Sequence, residues 1–257
     1  MPVCGREPSV RHVLKGVTVM SYAEDYQPDL FAIDAAADAR AAFIRRTYTH
    51  LFGAIMLFTG LSALILTLPN IDNIMMSMFQ SGYAALIMFA GFIGASWVAR
   101  YWANNSTSAG MQYAGLGLYA VAEAVFFAPL LWYAHFFVGP EVIPTAGMLS
   151  LVIFAGLTMA VFVTGADFSF LRTGLMVGAW SAFGLMIASF FFGFSLGLIF
   201  AYAMVVLASG FILYDTSNVL HHYRTDQHVG AALELFASVA LLFWYVLRIV
   251  MAFSSDD

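Results

Sequence analysis

Charge is scarce in this chain: 10% of its 257 residues are Asp, Glu, Lys or Arg, against about 25% in soluble globular proteins. Six of the ten basic residues, Arg6, Arg11, Lys15, Arg40, Arg45 and Arg46, precede the first apolar run, and the formal net charge is -5. No basic surface is left to grip nucleic acid. The single lysine, Lys15, stands in the amino-terminal tail, which excludes a retinal-type Schiff base within a helix. One cysteine, Cys4, excludes a disulfide framework and a CxxC metal or redox site within the chain. The HExxH spacing of zinc hydrolases is absent. All seven prolines lie at or before Pro144, so the later segments carry no proline kinks and only Pro129 falls well inside an apolar run, where it bends a helix. What remains is apolar: 62% of the residues are hydrophobic and the mean hydropathy is +0.85. The composition is that of an all-α membrane protein in contact with the lipid bilayer.

Residues 1–42 are polar or alanine-rich, lack the apolar segment of a secretory signal, and read as a disordered cytoplasmic tail, with Met20 a second candidate start. Residues 43–253 form a transmembrane domain and 254–257 a short carboxyl tail. Seven runs of about 20 apolar residues, each enough to cross a hydrocarbon layer of ~30 Å, cover 48–68, 82–99, 112–138, 143–165, 173–193, 196–220 and 230–252. The joint at 193–195 is very short, but 173–220 is more than twice the length of a span, so a tight hairpin is expected there. Arg45, Arg46, Arg100, Arg172 and Arg224 fall on alternate joints, and the three opposite loops hold no Lys or Arg. The positive-inside rule therefore puts the amino terminus in the cytoplasm. Seven spans leave Asp256 and Asp257 outside, unless the last segment is re-entrant.

An ionisable group within a span costs about 2.5–3.5 kcal/mol at the helix centre on insertion scales, so Glu123, Asp215, Glu234 and Arg248 each need a reason. Asp215 lies six residues before His221 and Glu234 six after His228. A hairpin of the last two spans sets both carboxyls ~9 Å inside the cytoplasmic edge, at 1.5 Å per residue. If their faces match, they share a proton or a cation. The face of Glu234 continues through Ser238, Leu241, Tyr245 and Arg248, and that of Asp215 through Asn218 and His222. This polar seam is either an ion path or glue between helices. Glu123 either lines a water-filled path or is a neutral, hydrogen-bonded acid. His221, His222 and His228 cluster near Asp226, as a metal site or as solvated loop histidines. With no recognised nucleophile beside them, the chain reads as a non-enzyme without a cofactor.

The segments FILYDTSNVLHHY (Phe211 to Tyr223) and DQHVGAALELFASVALLFWYVLRIV (Asp226 to Val250) resemble the closing signature of the transmembrane Bax inhibitor motif family. The likeness extends more weakly over 43–252, through IRRTYTHLFGAIM and GLYAVAEAVFFAPLL. It implies seven transmembrane helices, the last one central and surrounded by the other six. It also implies the behaviour of bacterial relatives, pH-gated calcium leak channels in which an aspartate of span six hydrogen-bonds one of span seven. Asp215 matches the first aspartate. Ser238 stands at the place of the second and Leu241 at that of a common asparagine, so the usual dyad is missing, with Glu234 one turn away as a substitute carboxylate. Asp215 and Glu234 would then bind calcium weakly, as conduction requires. Some bacterial relatives that interact with a membrane protease also lack the second aspartate, so the resemblance implies as the alternative a non-conducting regulator that binds a membrane protein. The resemblance implies a bacterial inner-membrane location.

Overall fold

The computed structural model describes residues 31–81, 83–105 and 108–254. They form eight α-helices: α1 (Ala37–Leu66), α2 (Ile71–Gln80), α3 (Ala84–Ala103), α4 (Ala109–Tyr133), α5 (Val142–Thr164), α6 (Leu171–Phe192), α7 (Gly197–His221) and α8 (His228–Ser254). All but α2 are long and apolar enough to cross a membrane. Their outer faces carry bare hydrophobic side chains such as Phe52, Trp97, Trp180 and Ile199, which only lipid can solvate at such density. The chain is a multi-pass membrane protein with seven spans.

The joints follow from local chemistry. Between α6 and α7 the backbone turns at Gly193 and Gly197, both with positive φ (69° and 66°), a conformation that glycine alone adopts without strain. The Ser189 hydroxyl closes the turn by donating to the Phe194 carbonyl at 2.6 Å. Pro129 lies inside α4, and the chain winds into a π-helical turn over Ala134–Val138, where the Gly139 amide bonds the Ala134 carbonyl at 3.0 Å.

Two features differ from the sequence reading. Residues 31–42, expected within a disordered tail, are structured: Ala37–Ala42 form the first turns of α1, and Ala32 is fully buried. Ahead of α1, Phe31 pairs with Arg224 in an antiparallel bridge, and the Ala32 amide donates to the Tyr223 carbonyl at 2.8 Å. Residues 1–30, with both candidate starts, and 255–257 lie outside the described residues. The loop after α1 holds an unforeseen helix, α2, whose Ile71 and Met75 pack on Ala128 and Trp132. Its Asp72 accepts a hydrogen bond from Trp132 Nε1 at 2.7 Å.

The last helix, α8, packs against α1, α3, α4, α5 and α7 and reaches α6 where the Tyr245 hydroxyl meets Met186 Sδ at 3.8 Å. Five consecutive residues, Val229 to Leu233, are buried. That is more than one 3.6-residue turn, so this end of α8 is enclosed on every side.

Candidate functional site

The site is assembled around the end of the bundle that carries the basic loops, where α3, α4, α7 and α8 meet. Small residues allow the approach. Ala99 and Ala103 of α3 lie one turn apart and press on Gly115 of α4, where a Cβ would fall 2.5 Å from the Ala103 nitrogen and 2.6 Å from the Ala99 oxygen. Gly230 of α8 meets the side chain of Asn104 just past the end of α3. This is the small-residue packing by which membrane helices come close. Arg100, between Ala99 and Ala103, is thereby set opposite Glu234, one turn along α8 from Gly230.

Arg100 donates from its Nη1 to Glu234 Oε2, and its guanidinium carbon lies 5.5 Å from the ring centre of Tyr119, a cation–π distance. On the neighbouring turn Ser238 Oγ donates to Asp215 Oδ2 at 2.5 Å, and both residues are buried. Glu123, buried in the middle of α4, interacts with Tyr119 one turn before it. The three carboxyl groups and Arg100 line one cavity of about 610 Å³ between α3, α4, α6, α7 and α8.

The sequence reading is thus met in part. Asp215, Glu234, Ser238 and Glu123 come together, and Leu241 and Tyr245 continue the wall along α8. Asp215 and Glu234 do not bond each other: the expected carboxylate pair is split into Asp215 with Ser238 and Glu234 with Arg100, because α3 inserts a cation opposite Glu234. Arg248 is exposed and stands outside the cavity wall, so the face from Glu234 leaves the site after Tyr245. Asn218 and His222 are likewise outside it.

The three loop histidines go to different partners. His221 Nδ1 is 2.9 Å from the Ser217 carbonyl, His222 is 3.3 Å from Asp167, and the His228 ring lies 5.0 Å from that of His50. Asp167, in the loop between α5 and α6, is held below the usual aspartate range, first by the Ser169 amide and then by the Ser169 side chain and His222. Among the described residues no group of three or more His, Cys, Asp or Glu side chains is arranged to hold a metal ion.

Sequence reasoning missed Arg100 as a site residue, treating it as a loop marker. The available signal was that the helical pattern of α3 runs on past it through Tyr101, Trp102 and Ala103. It also passed over Gly193-Phe194-Ser195-Leu196-Gly197, which has the G-x-S-x-G spacing of a nucleophile elbow. Here the five residues join two helices rather than a strand and a helix. The 25 residues of α7, ~37 Å at 1.5 Å each, separate Ser195 from His221, so this serine has no base among the loop histidines.

Residues 40–255 match the family described as inhibitor of apoptosis-promoting Bax1. The chain belongs to this family. Among curated relatives, this Bax1-inhibitor family member is 24% identical over 237 residues to protein lifeguard 4 of Mus musculus, covering 90% of this chain and 94% of that one. It is 32% identical over 120 residues to an uncharacterized protein of Pseudomonas aeruginosa, covering 46% of this chain and 54% of the relative. With Bax inhibitor 1 of Schizosaccharomyces pombe the identity is 29% over 123 residues, 47% of this chain and 46% of the relative.

Proposed function

We propose that this Bax1-inhibitor family protein is a cation leak channel or exchanger of a bacterial inner membrane, with calcium as the permeant ion, modulated by protons at Asp215. The observation that carries the reading is the cavity in which Glu123, Asp215 and Glu234 face a single guanidinium. An intramembrane carboxyl group is costly and marks an ion or proton path. Carboxylate oxygens suit a hard cation, and their small number gives the weak binding that permeation needs. Protonated, Asp215 is neutral and offers a cation nothing. Ionised, it draws one in, with Ser238 holding the carboxylate in place. The Arg100–Glu234 pair sits across the end of the cavity near the basic loops and acts as its barrier. This reading assigns no enzymatic step and no cofactor, and it takes the amino terminus as cytoplasmic from the placement of the arginines.

A second reading, a non-conducting regulator bound to a membrane protease or another membrane protein, is favoured by one observation: Ser238, not a second carboxylate, bonds Asp215. Calcium uptake into dye-loaded liposomes containing only this protein separates the two. The leak reading expects flux to rise from acid to neutral pH, Asp215→Asn to flatten that dependence, and Ser238→Ala to shift it. Absence of flux at every pH, while a control channel conducts, removes the leak and leaves the regulator.

A further inference from the structure

The cavity is built for something larger and greasier than a metal ion. Its volume of about 610 Å³ falls within the ~300–1,000 Å³ of small-molecule sites, whereas a water molecule claims about 30 Å³. Away from the carboxyl groups the wall is aromatic. Phe92 and Phe126 stack at 4.5 Å and Phe126 and Trp244 at 5.0 Å, so three rings from α3, α4 and α8 form one continuous face. Met176 and Met186 of α6 complete this half; thioethers pack adaptably on such rings.

The sign of the ligand follows from the other half. Three carboxyl groups meet one guanidinium, and that guanidinium is committed to Glu234, which leaves Glu123 and Asp215 to face the ligand. Carboxylates beside aromatic faces recognise organic cations through charge and the ring quadrupole together.

The direction of entry follows from the packing. On α3 only Ala99 and Ala103, near one end, are fully buried, and α6 buries only Leu175 and Ala182. Between these two helices the Phe89 and Phe183 rings meet at 6.0 Å, and Met176 is half exposed. These two partly exposed rings bridge α3 and α6 at the lipid-facing surface, and parting them opens a route for a membrane-dissolved molecule.

We propose that the cavity binds a hydrophobic organic cation, of the tertiary or quaternary ammonium or phosphonium class, which enters from the bilayer between α3 and α6. Its charged centre lies by Asp215 and Glu123, and its apolar groups rest on Phe92, Phe126 and Trp244. The proposal rests on the reading of this cavity as a cation-accepting space and adds that the same space holds an organic occupant.

The test is equilibrium dialysis of radiolabelled tetraphenylphosphonium against the purified full-length protein in detergent, with empty micelles as blank. Tetraphenylborate, of the same shape and opposite charge, is measured alongside. Saturable binding near one phosphonium per chain is expected, with the borate at the micelle blank. Asp215→Asn combined with Glu123→Gln should weaken phosphonium binding at least tenfold, and Trp244→Leu should weaken it severalfold. Because a variant can fail to fold, a second measurement uses the unaltered protein: phosphonium, but not borate, should raise its unfolding temperature, since a ligand bound only by the folded state stabilises it. Non-saturable uptake, equal binding of the two ions, or unchanged affinity in folded carboxyl variants overturns the proposal. Saturable phosphonium binding with no calcium flux would remove the leak and keep this site; flux with no saturable binding would do the reverse.

Discussion

Replacing Gly115 by alanine adds one methyl group at the tightest helix crossing of the site. Its carbon would lie 2.5 Å and 2.6 Å from backbone atoms of Ala103 and Ala99, where ordinary contact begins near 3.4 Å. Backbone cannot rotate aside as a side chain can, so α3 and α4 must separate by about 1 Å. Overpacking of this kind costs about 1–3 kcal/mol, offset by about 0.5–1 kcal/mol because alanine is the better helix former. At the midpoints of the two ranges the net loss is about 1.25 kcal/mol, a fall of about 2.5–5 °C in Tm for a chain of this size. Gly117, two residues along the same helix, supplies the control: nothing lies within 4 Å of its Cβ position, so Gly117→Ala should raise Tm by the propensity gain alone. Thermal unfolding of the two variants in detergent, followed by circular dichroism, reads both signs. If Gly115→Ala is as stable as the parent, or Gly117→Ala loses as much, the close approach of α3 to α4 is refuted. With it goes the account of how Arg100 is held opposite Glu234.

The hydrogen bond from Trp132 to Asp72 pins α2 to the end of α4; Asp72→Ala and Trp132→Phe should each cost about 1 kcal/mol, and the double variant little more than the larger single loss, since both remove one bond. Fully additive losses in denaturant titrations would show that the bond contributes nothing. For orientation, with Cys4 replaced by serine, single cysteines at Asn105, Ser169 and Thr225 should be shielded from an impermeant thiol reagent outside intact cells and those at Asn73 and Glu141 labelled; the reverse pattern inverts the topology.

The number of spans and their order were legible in the sequence because the bilayer imposes a length: about 20 apolar residues are needed to cross it, and joints must be polar. The hairpin between α6 and α7 was legible for the same reason. The partners of the polar residues were not. Spacing along α7 and α8, a local property of helices, put Asp215 level with Glu234, whereas in the structure Asp215 bonds Ser238, one turn farther along α8. It could not reveal that Arg100, 134 residues before Glu234, returns to meet it, nor that the face leaving Tyr245 carries Arg248 away from the cavity. The ordered end of the tail depended on a loop nearly two hundred residues later. Chain composition and period, acting within one helix, determined the spans and the buried carboxyls. Which charge neutralises which, and the aromatic cavity they share, was decided only when Gly115 and Gly230 let three separate helices touch, because such contacts belong to surfaces that no single segment contains.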